Sequence, residues 1–402
     1  MKIFASKFIR QHFSFFILLL GGGGLYLSNV ALSFFLTPDE YAKYGLLSAF
    51  VAIVTVFSGF GFDQIILRYA KVSKDCVEIP TETIYPSMIL IMVSSLILSV
   101  IFGAFFWGQH IWMLFVFSVT SAIVIYYYTL FRISSLFIAA QIQKNAWKIL
   151  FPVVLGVSLL YFNLDSNYIL LSITILMCLT SVLGWFQSKN VNKKFFRQGF
   201  YDWNLLWGYF SAMMIMSFMT SGDRFFIDGV LGKEELARYF FLQNIFLFPL
   251  SQLQNYFGFK DVVVFKERLN IKLLNEKLLK NVVVSLLASS FILFLFVIVL
   301  FVFPVNNYFN ISRDWALIGF LIITGLVRVW YASLSAAMSI FADSKMINQS
   351  NLLSCVFLLL GGGVLLNVEY QSVFPIVIVF FAFWLQRSVI YYYVLRRGLR
   401  EV

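Results

Sequence analysis

Apolar runs long enough to cross a bilayer recur along the whole chain, and no other feature constrains its fold as tightly. A helix needs about 20 apolar residues to span the hydrocarbon, and Val283–Phe303 reaches that length without a single charge. Lipid offers no water to satisfy backbone N–H and C=O groups, so a spanning segment is either a helix or part of a closed barrel. Barrel strands alternate apolar with polar residues, and Val283–Phe303 does not alternate. The expected fold is an all-α polytopic membrane protein. Composition agrees, with 61% hydrophobic and 12% charged residues.

The apolar runs lie near 13–36, 45–67, 85–107, 111–140, 147–163, 167–186, 203–231, 237–258, 281–304, 314–341, 347–366 and 372–395. That predicts about twelve transmembrane helices, six on each side of the Asn190–Trp203 connection. Lysine and arginine mark cytoplasmic connections. They concentrate at the first terminus (Lys2, Lys7, Arg10), at alternate connections (Arg68 and Lys71; Lys144 and Lys148; Lys189, Lys193 and Lys194) and at Arg396 and Arg397. The opposite face holds Lys43, Lys233, Arg238 and Arg313. Both termini are therefore expected in the cytoplasm. Topology accounts for the net charge of +11, so membrane lipids are expected partners and nucleic acid is not. Six being even, the second half enters the membrane in the same sense as the first. The expected architecture is two parallel-repeat six-helix bundles, 1–190 and 191–402, around a central cleft.

A short internal repeat supports the division into halves. Leu36–Tyr44 reads LTPDEYAKY and Leu231–Tyr239 reads LGKEELARY, aligned at a constant offset of 195 positions. Leu36/Leu231, Glu40/Glu235, Ala42/Ala237 and Tyr44/Tyr239 are identical, and both copies follow an apolar run. Glu40, Tyr44, Glu235 and Tyr239 are thereby marked as structural positions, and Gly232 as a turn.

Arg132, Arg224, Arg328 and Arg387 fall within or at the edges of predicted spans. A charge at the bilayer centre costs at least about 2.5–3.5 kcal/mol, so such residues face a bundle interior or a wet cavity. Guanidinium stays charged at depth, and its planar fork grips phosphate oxygens in two places. The four arginines are the candidate binding groups for an anionic substrate. Arg328 is the sharpest, midway along its span with Thr324, Tyr331 and Ser335 on roughly the same helical face. Simpler roles compete: Arg387 and Arg132 are near enough to span ends to snorkel, and Arg224 has the i,i+4 spacing to neutralise Asp228.

Asp63, Asp223 and Asp228 are the acids nearest membrane depth and are the candidates for carrying a coupling proton or sodium ion. Each has the competing role of a helix-end or interfacial residue, and for Asp63 that role is the favoured one. Cys76, Cys178 and Cys355 stand far apart without CxxC spacing, and His12 and His110 are the only histidines, so no metal site is expected. Gly21–Gly24 and Gly361–Gly363 lie inside spans, where glycine permits close helix contact or bending. Phe265, Leu269, Leu273 or Leu274, and Leu278 recur at helical spacing among the lysines of Lys260–Lys280, the pattern of an amphipathic helix on anionic lipid.

Asp223, Arg224, Leu231, Gly232, Glu234, Glu235 and Tyr239, read with the twelve expected spans, resemble the Wzx-like bacterial polysaccharide flippases. These belong to the multidrug/oligosaccharidyl-lipid/polysaccharide exporter superfamily; Ala237 stands where that motif more usually has glycine. The resemblance implies a non-enzymatic inner-membrane transporter. Its cargo would be an undecaprenyl-diphosphate-linked oligosaccharide, an O-antigen or exopolysaccharide repeat unit, moved from the cytoplasmic to the periplasmic leaflet by alternating access. It also implies no cofactor beyond an H+ or Na+ gradient, and a polysaccharide polymerase and glycosyltransferases as partners. Two alternatives stay open. A drug or small-molecule exporter of the same superfamily would call for acidic cavity residues when its cargo is cationic. A polytopic glycosyltransferase or polymerase could use Asp39–Glu40, although its recurrence as Glu234–Glu235 favours a structural motif.

Overall fold

The computed structural model of the protein describes residues 2–72, 76–80, 84–104, 110–161, 164–196, 203–302, 311–367 and 370–399. The span ends expected at 107, 163 and 304 lie outside these residues. Helices dominate, in the order α1 (Lys2–Phe35), α2 (Pro38–Phe57), α3 (Phe62–Tyr69), α4 (Ile84–Phe102), α5 (Ile111–Ile133), α6 (Phe137–Tyr161) and α7 (Ser166–Ser188). Then come α8 (Trp203–Leu231), α9 (Lys233–Leu242), a π-helical turn (Gln243–Leu247), α10 (Phe248–Glu267), α11 (Ile271–Val302), α12 (Ile311–Phe341), α13 (Ser344–Asn367) and α14 (Phe374–Gly398). Among the described residues, eight helical stretches are long and apolar enough to cross a membrane. Exposed rows such as Leu279, Leu286, Leu287 and Phe294 on α11, or Leu352, Leu359, Leu360 and Leu366 on α13, suit hydrocarbon better than water. The chain is a multi-pass, mainly helical membrane protein. α6, α8 and α10 lie outside those eight stretches, and α8 and α10 carry Asp223, Arg224, Gln254 and Asp261, described below.

Local chemistry sets the helix starts. Thr37 caps α2 by accepting from the Glu40 N–H at 3.3 Å, Pro38 takes the first helical position, and Asp39 and Glu40 complement the helix dipole. Asp165 caps α7, accepting from the Tyr168 N–H at 2.7 Å. The turn at Gly232 has φ +81°, outside the range that side chains tolerate, and α9 starts on Glu234 and Glu235 in its first turn.

The chain divides into two compact units, Met1–Ser28 with Leu46–Ser217, and Asn29–Gly45 with Phe218–Val402. The units are not two uninterrupted halves of the sequence: the division falls within α1, α2 and α8. In the first unit α5, α6 and α7 pack on one another, with α3 and α4 against α5. In the second, α12 is central, packing on α10, α11 and α14, while α13 packs on α14.

Several sequence expectations are corrected. The run 111–140 is two helices: α5 stops at Ile133, Ser135 turns the chain at φ +58°, and α6 begins at Phe137. Lys144 and Lys148 therefore belong to α6 rather than to a connection, and the span placed at 147–163 starts ten residues earlier, at Phe137. Hydropathy misses this break because Leu136 and Phe137 continue the apolar run across it. The run 45–67 is likewise broken between α2 and α3, where Phe60 and Gly61 both have positive φ. No separate amphipathic helix occupies Lys260–Lys280. α10 continues to Glu267, α11 starts at Ile271, and Phe265, Leu274 and Leu278 are buried within the protein. A small sheet also interrupts the all-helical expectation. β1 (Lys71–Val72) pairs antiparallel with β2 (Val77–Pro80), which pairs in parallel with β3 (Lys193–Phe196). Val77 and Ile79 bury their side chains with Leu130, a short alternation of the kind that builds strands.

The glycine tracts include close contacts. A side chain at Gly24 would meet the Lys148 carbonyl of α6 at 2.8 Å, and one at Gly361 would meet the Phe383 ring at 2.4 Å.

Candidate functional site

The second unit holds a cluster of charged and amide side chains around Asp223 and Arg224, both on α8. Asp223 is 4% exposed. Its Oδ2 accepts from the Tyr239 hydroxyl and, at 3.1 Å, from Gln243 Nε2; its Oδ1 accepts from the Arg224 N–H at 2.9 Å. The Arg224 side chain bonds neutral groups and stays within electrostatic reach of Asp223. Its Nε donates to Gln243 Oε1 at 2.8 Å, one terminal nitrogen donates to the Gly45 carbonyl at 3.1 Å, and the guanidinium sits 4.7 Å from the Phe240 ring centre. Gln243 thus clasps both charges, donating to the acid and accepting from the base.

Gln243 owes its position to the π-helical turn. The wider turn at Gln243–Leu247 puts two consecutive amides, Gln243 and Asn244, into the interior, a common use of π-bulges. Asn244 Oδ1 accepts from Asn29 Nδ2 at 2.8 Å, and the Tyr44 hydroxyl donates to Asn29 Oδ1 at 2.5 Å. The Tyr41 hydroxyl donates to the Asn29 carbonyl at 3.2 Å. These bonds tie Asn29–Gly45, the end of α1 and the start of α2, into the second unit.

Arg328, on α12, is 7% exposed. Its Nε donates to Gln254 Oε1 at 3.1 Å, its guanidinium lies 4.8 Å from the Trp384 ring centre, and it is within electrostatic reach of Asp223 and Arg224. Trp384 is held in turn by its indole N–H on the Met219 carbonyl at 3.0 Å. A buried and a half-buried guanidinium therefore face the Asp223 carboxylate.

The remaining expected residues separate into distinct places. Arg132 is in the first unit at the end of α5, with Asp63 of α3 as a charged neighbour. Asp63 Oδ2 accepts from Gln64 Nε2 at 2.8 Å, while its Oδ1 is buried without a hydrogen-bond partner among the described residues. The i,i+4 pair of Arg224 with Asp228 does not form: the charges Asp228 meets are Lys233 and Asp39, and its Oδ1 too is buried without a partner among the described residues. Arg387 does not snorkel; it is fully buried on α14. The turn residues have structural partners. Glu235 binds Arg238 at 2.9 Å, Arg238 also binds the buried Asp314, and Glu40 binds Lys43 at 2.6 Å.

Sequence reasoning missed Gln243, Asn244, Asn29, Gln254 and Trp384. Four of these are amides, which are rare and costly inside apolar runs, so the signal is present in the sequence, although a reading of charges alone passes over it. It also missed Asp261 of α10, which is 1% exposed. Asp261 Oδ2 accepts from Asn281 Nδ2 at 3.0 Å and Ser333 Oγ at 2.6 Å, and Lys277 Nζ lies 3.7 Å from its Oδ1.

No family model, curated protein or solved structure matches this chain.

Proposed function

We propose that the chain is a flippase of the bacterial inner membrane, moving undecaprenyl-diphosphate-linked oligosaccharide from the cytoplasmic to the periplasmic leaflet by alternating access. The observation that carries this reading is the pair of Arg328, buried, and Arg224, half-buried, in a helical membrane unit around Asp223, an acid within electrostatic reach of both. A buried excess of positive charge is costly unless an anion offsets it, and the diphosphate of such a lipid is an anion whose acyl tail can stay in the bilayer. Arginine suits it, because the guanidinium fork matches phosphate oxygens. Gln254 and Trp384 hold the Arg328 guanidinium with neutral groups, which suits it to meet the charge of a ligand. The twelve-span, six-plus-six arrangement belongs to the same proposal, as do cytoplasmic termini and partnership with a polymerase and glycosyltransferases. Coupling to H+ or Na+ falls to Asp63 or Asp228, which keep an unpartnered buried oxygen, more readily than to Asp223.

The test is translocation of lipid-linked oligosaccharide in cells lacking the protein, complemented with wild type, Arg328→Lys or Arg328→Ala at matched membrane levels. Transport lost in the alanine variant and partly recovered in the lysine variant is the expected result. Full transport by Arg328→Ala removes Arg328 from the site. A deletion that leaves flipping intact and stops polymerisation or sugar transfer replaces the transporter with an enzyme.

A further inference from the structure

Arg387 is a buried cation that the cluster around Asp223 does not explain. It is 0% exposed. Its Nε donates to the Tyr331 hydroxyl at 3.1 Å, and Nη2 donates to the Tyr391 hydroxyl at 2.6 Å and to Asn351 Oδ1 at 3.3 Å. The Tyr391 ring centre lies 4.7 Å from its central carbon. All of these partners are neutral. Its Nη1 is buried with no hydrogen-bond partner, and among the described residues Arg387 forms no ion pair.

Other arginines of the second unit, the buried Arg328 and the half-buried Arg224 and Arg238, have acids within reach. Arg238 binds Glu235 and Asp314, while Arg224 and Arg328 share Asp223. A guanidinium does not escape by losing its proton, and an uncompensated charge in a low-dielectric interior is strongly unfavourable. Hydroxyl and amide dipoles satisfy N–H groups without cancelling the charge. Among the described residues none supplies a counter-charge, and the edge left for one is Nη1.

We infer that Arg387 Nη1, between α12, α13 and α14, is a binding site for a phosphate-class anion, which supplies the counter-charge that no described residue provides. Arginine N–H groups bind phosphate oxygens by charge-assisted hydrogen bonds. α13, which carries Asn351, packs on α14 and exposes Leu352, Leu353 and Val356 on its other side, so Arg387 lies one helix in from an apolar outer surface. A lipid head-group phosphate or a free phosphate ion offers the same chemistry. The inference requires no transport activity.

A purely mechanical strut joining α12, α13 and α14 is the competing role, and unfolding temperatures separate the two. The full chain in neutral detergent is compared in sodium gluconate, phosphate and pyrophosphate at equal ionic strength, and with added phosphatidylglycerol or phosphatidylcholine. Phosphate, pyrophosphate or phosphatidylglycerol is expected to raise the wild-type midpoint by at least about 2 °C, and Arg387→Gln is expected to abolish that response. A response to phosphatidylglycerol alone assigns the site to a lipid head group; a response to the inorganic ions assigns it to a free anion. Asn351→Asp keeps the arginine and places a carboxylate at the present Oδ1 contact. It is expected to be as stable in gluconate as wild type is in phosphate, and to ignore added anions, which keeps the test intact if Arg387→Gln does not fold. Equal wild-type midpoints in every condition, with Arg387→Gln lowered by the same amount throughout, would establish the strut and overturn the inference. An anion response that survives Arg387→Gln and disappears in Arg328→Gln would overturn it too, by moving the anion to the Asp223 cluster while leaving the flippase reading in place.

Discussion

The hydroxyl of Tyr239 donates to the carboxylate of Asp223, reaching back from α9 to the helix before it. The same contact occurs at the other copy of the short repeat, where the Tyr44 hydroxyl donates to Asn29 on α1. In both, a tyrosine at the end of the motif fastens a turn to a buried polar residue some fifteen positions upstream. The motif is a fastening, and the residue it fastens differs: a neutral amide in one copy and an acid beside an arginine in the other.

Removing that fastening is expected to cost more where a charge is left behind. Tyr239→Phe deprives a buried carboxylate of a donor, for a loss of about 1–3 kcal/mol. Tyr44→Phe removes a bond between neutral groups and is expected to cost about 0.5–1.5 kcal/mol. Thermal midpoints of the two variants in one detergent check the order; equal losses would mean that Asp223 does not depend on Tyr239.

Gly232 and Gly229 offer a matched pair. Neither has an atom within 4 Å of an added Cβ, but Gly232 has φ +81° and Gly229 lies inside α8. Gly232→Ala is expected to destabilise by about 1–3 kcal/mol through backbone strain alone. Gly229→Ala is expected to stabilise by up to about 1 kcal/mol. Opposite shifts in midpoint are the prediction, and a shift of the same sign in both contradicts it.

Asp261 is held by three side chains from two other helix segments, Lys277 and Asn281 on α11 and Ser333 on α12. Asp261→Ala leaves them unmatched around a void and is expected to cost about 3–5 kcal/mol. Lys277 is 18% exposed at its side chain, so Lys277→Met is expected to lose no more than about 1 kcal/mol. Yield of monodisperse protein and the thermal midpoint report both; a Lys277→Met loss as large as that of Asp261→Ala would make the ion pair, rather than the hydroxyl and amide, the main support.

Ion dependence of transport is expected to follow Asp63. Its Oδ1 is buried and unpartnered among the described residues, beside a helix break with two positive-φ residues, Phe60 and Gly61. Broken helices line ion sites in many transporters. Asp63→Asn is expected to abolish the response of translocation to an imposed H+ or Na+ gradient while the protein still reaches the membrane. An unchanged gradient response would pass the role to Asp228.

What the sequence alone determined was the solvent and the class of structure. Uninterrupted apolar length dictates helices in lipid, because the backbone has no other way to satisfy its polar groups there. It also marked Gly232 as a turn, the repeat as structural, and Arg328 as a buried cation midway along a helix. Breaks inside apolar runs were not legible. Ser135 and Phe60 turn the chain with no change in hydropathy, since a bend depends on φ and on the neighbours that hold it. Nor could periodicity say which partner each charge would meet. Arg224 is four residues from Asp228 yet bonds Gln243, because a π-turn brings that amide inward and bonds to Asn29 hold the adjacent stretch of α1 and α2 in place. Arg387 seemed close enough to water to snorkel, and three tyrosine and asparagine contacts from α12, α13 and α14 enclose it instead. Charge and apolar length are properties of single residues and short runs, so they can be read from the chain in order. Which partner each charge meets depends on residues distant in sequence coming together in space, and tertiary packing alone decides that.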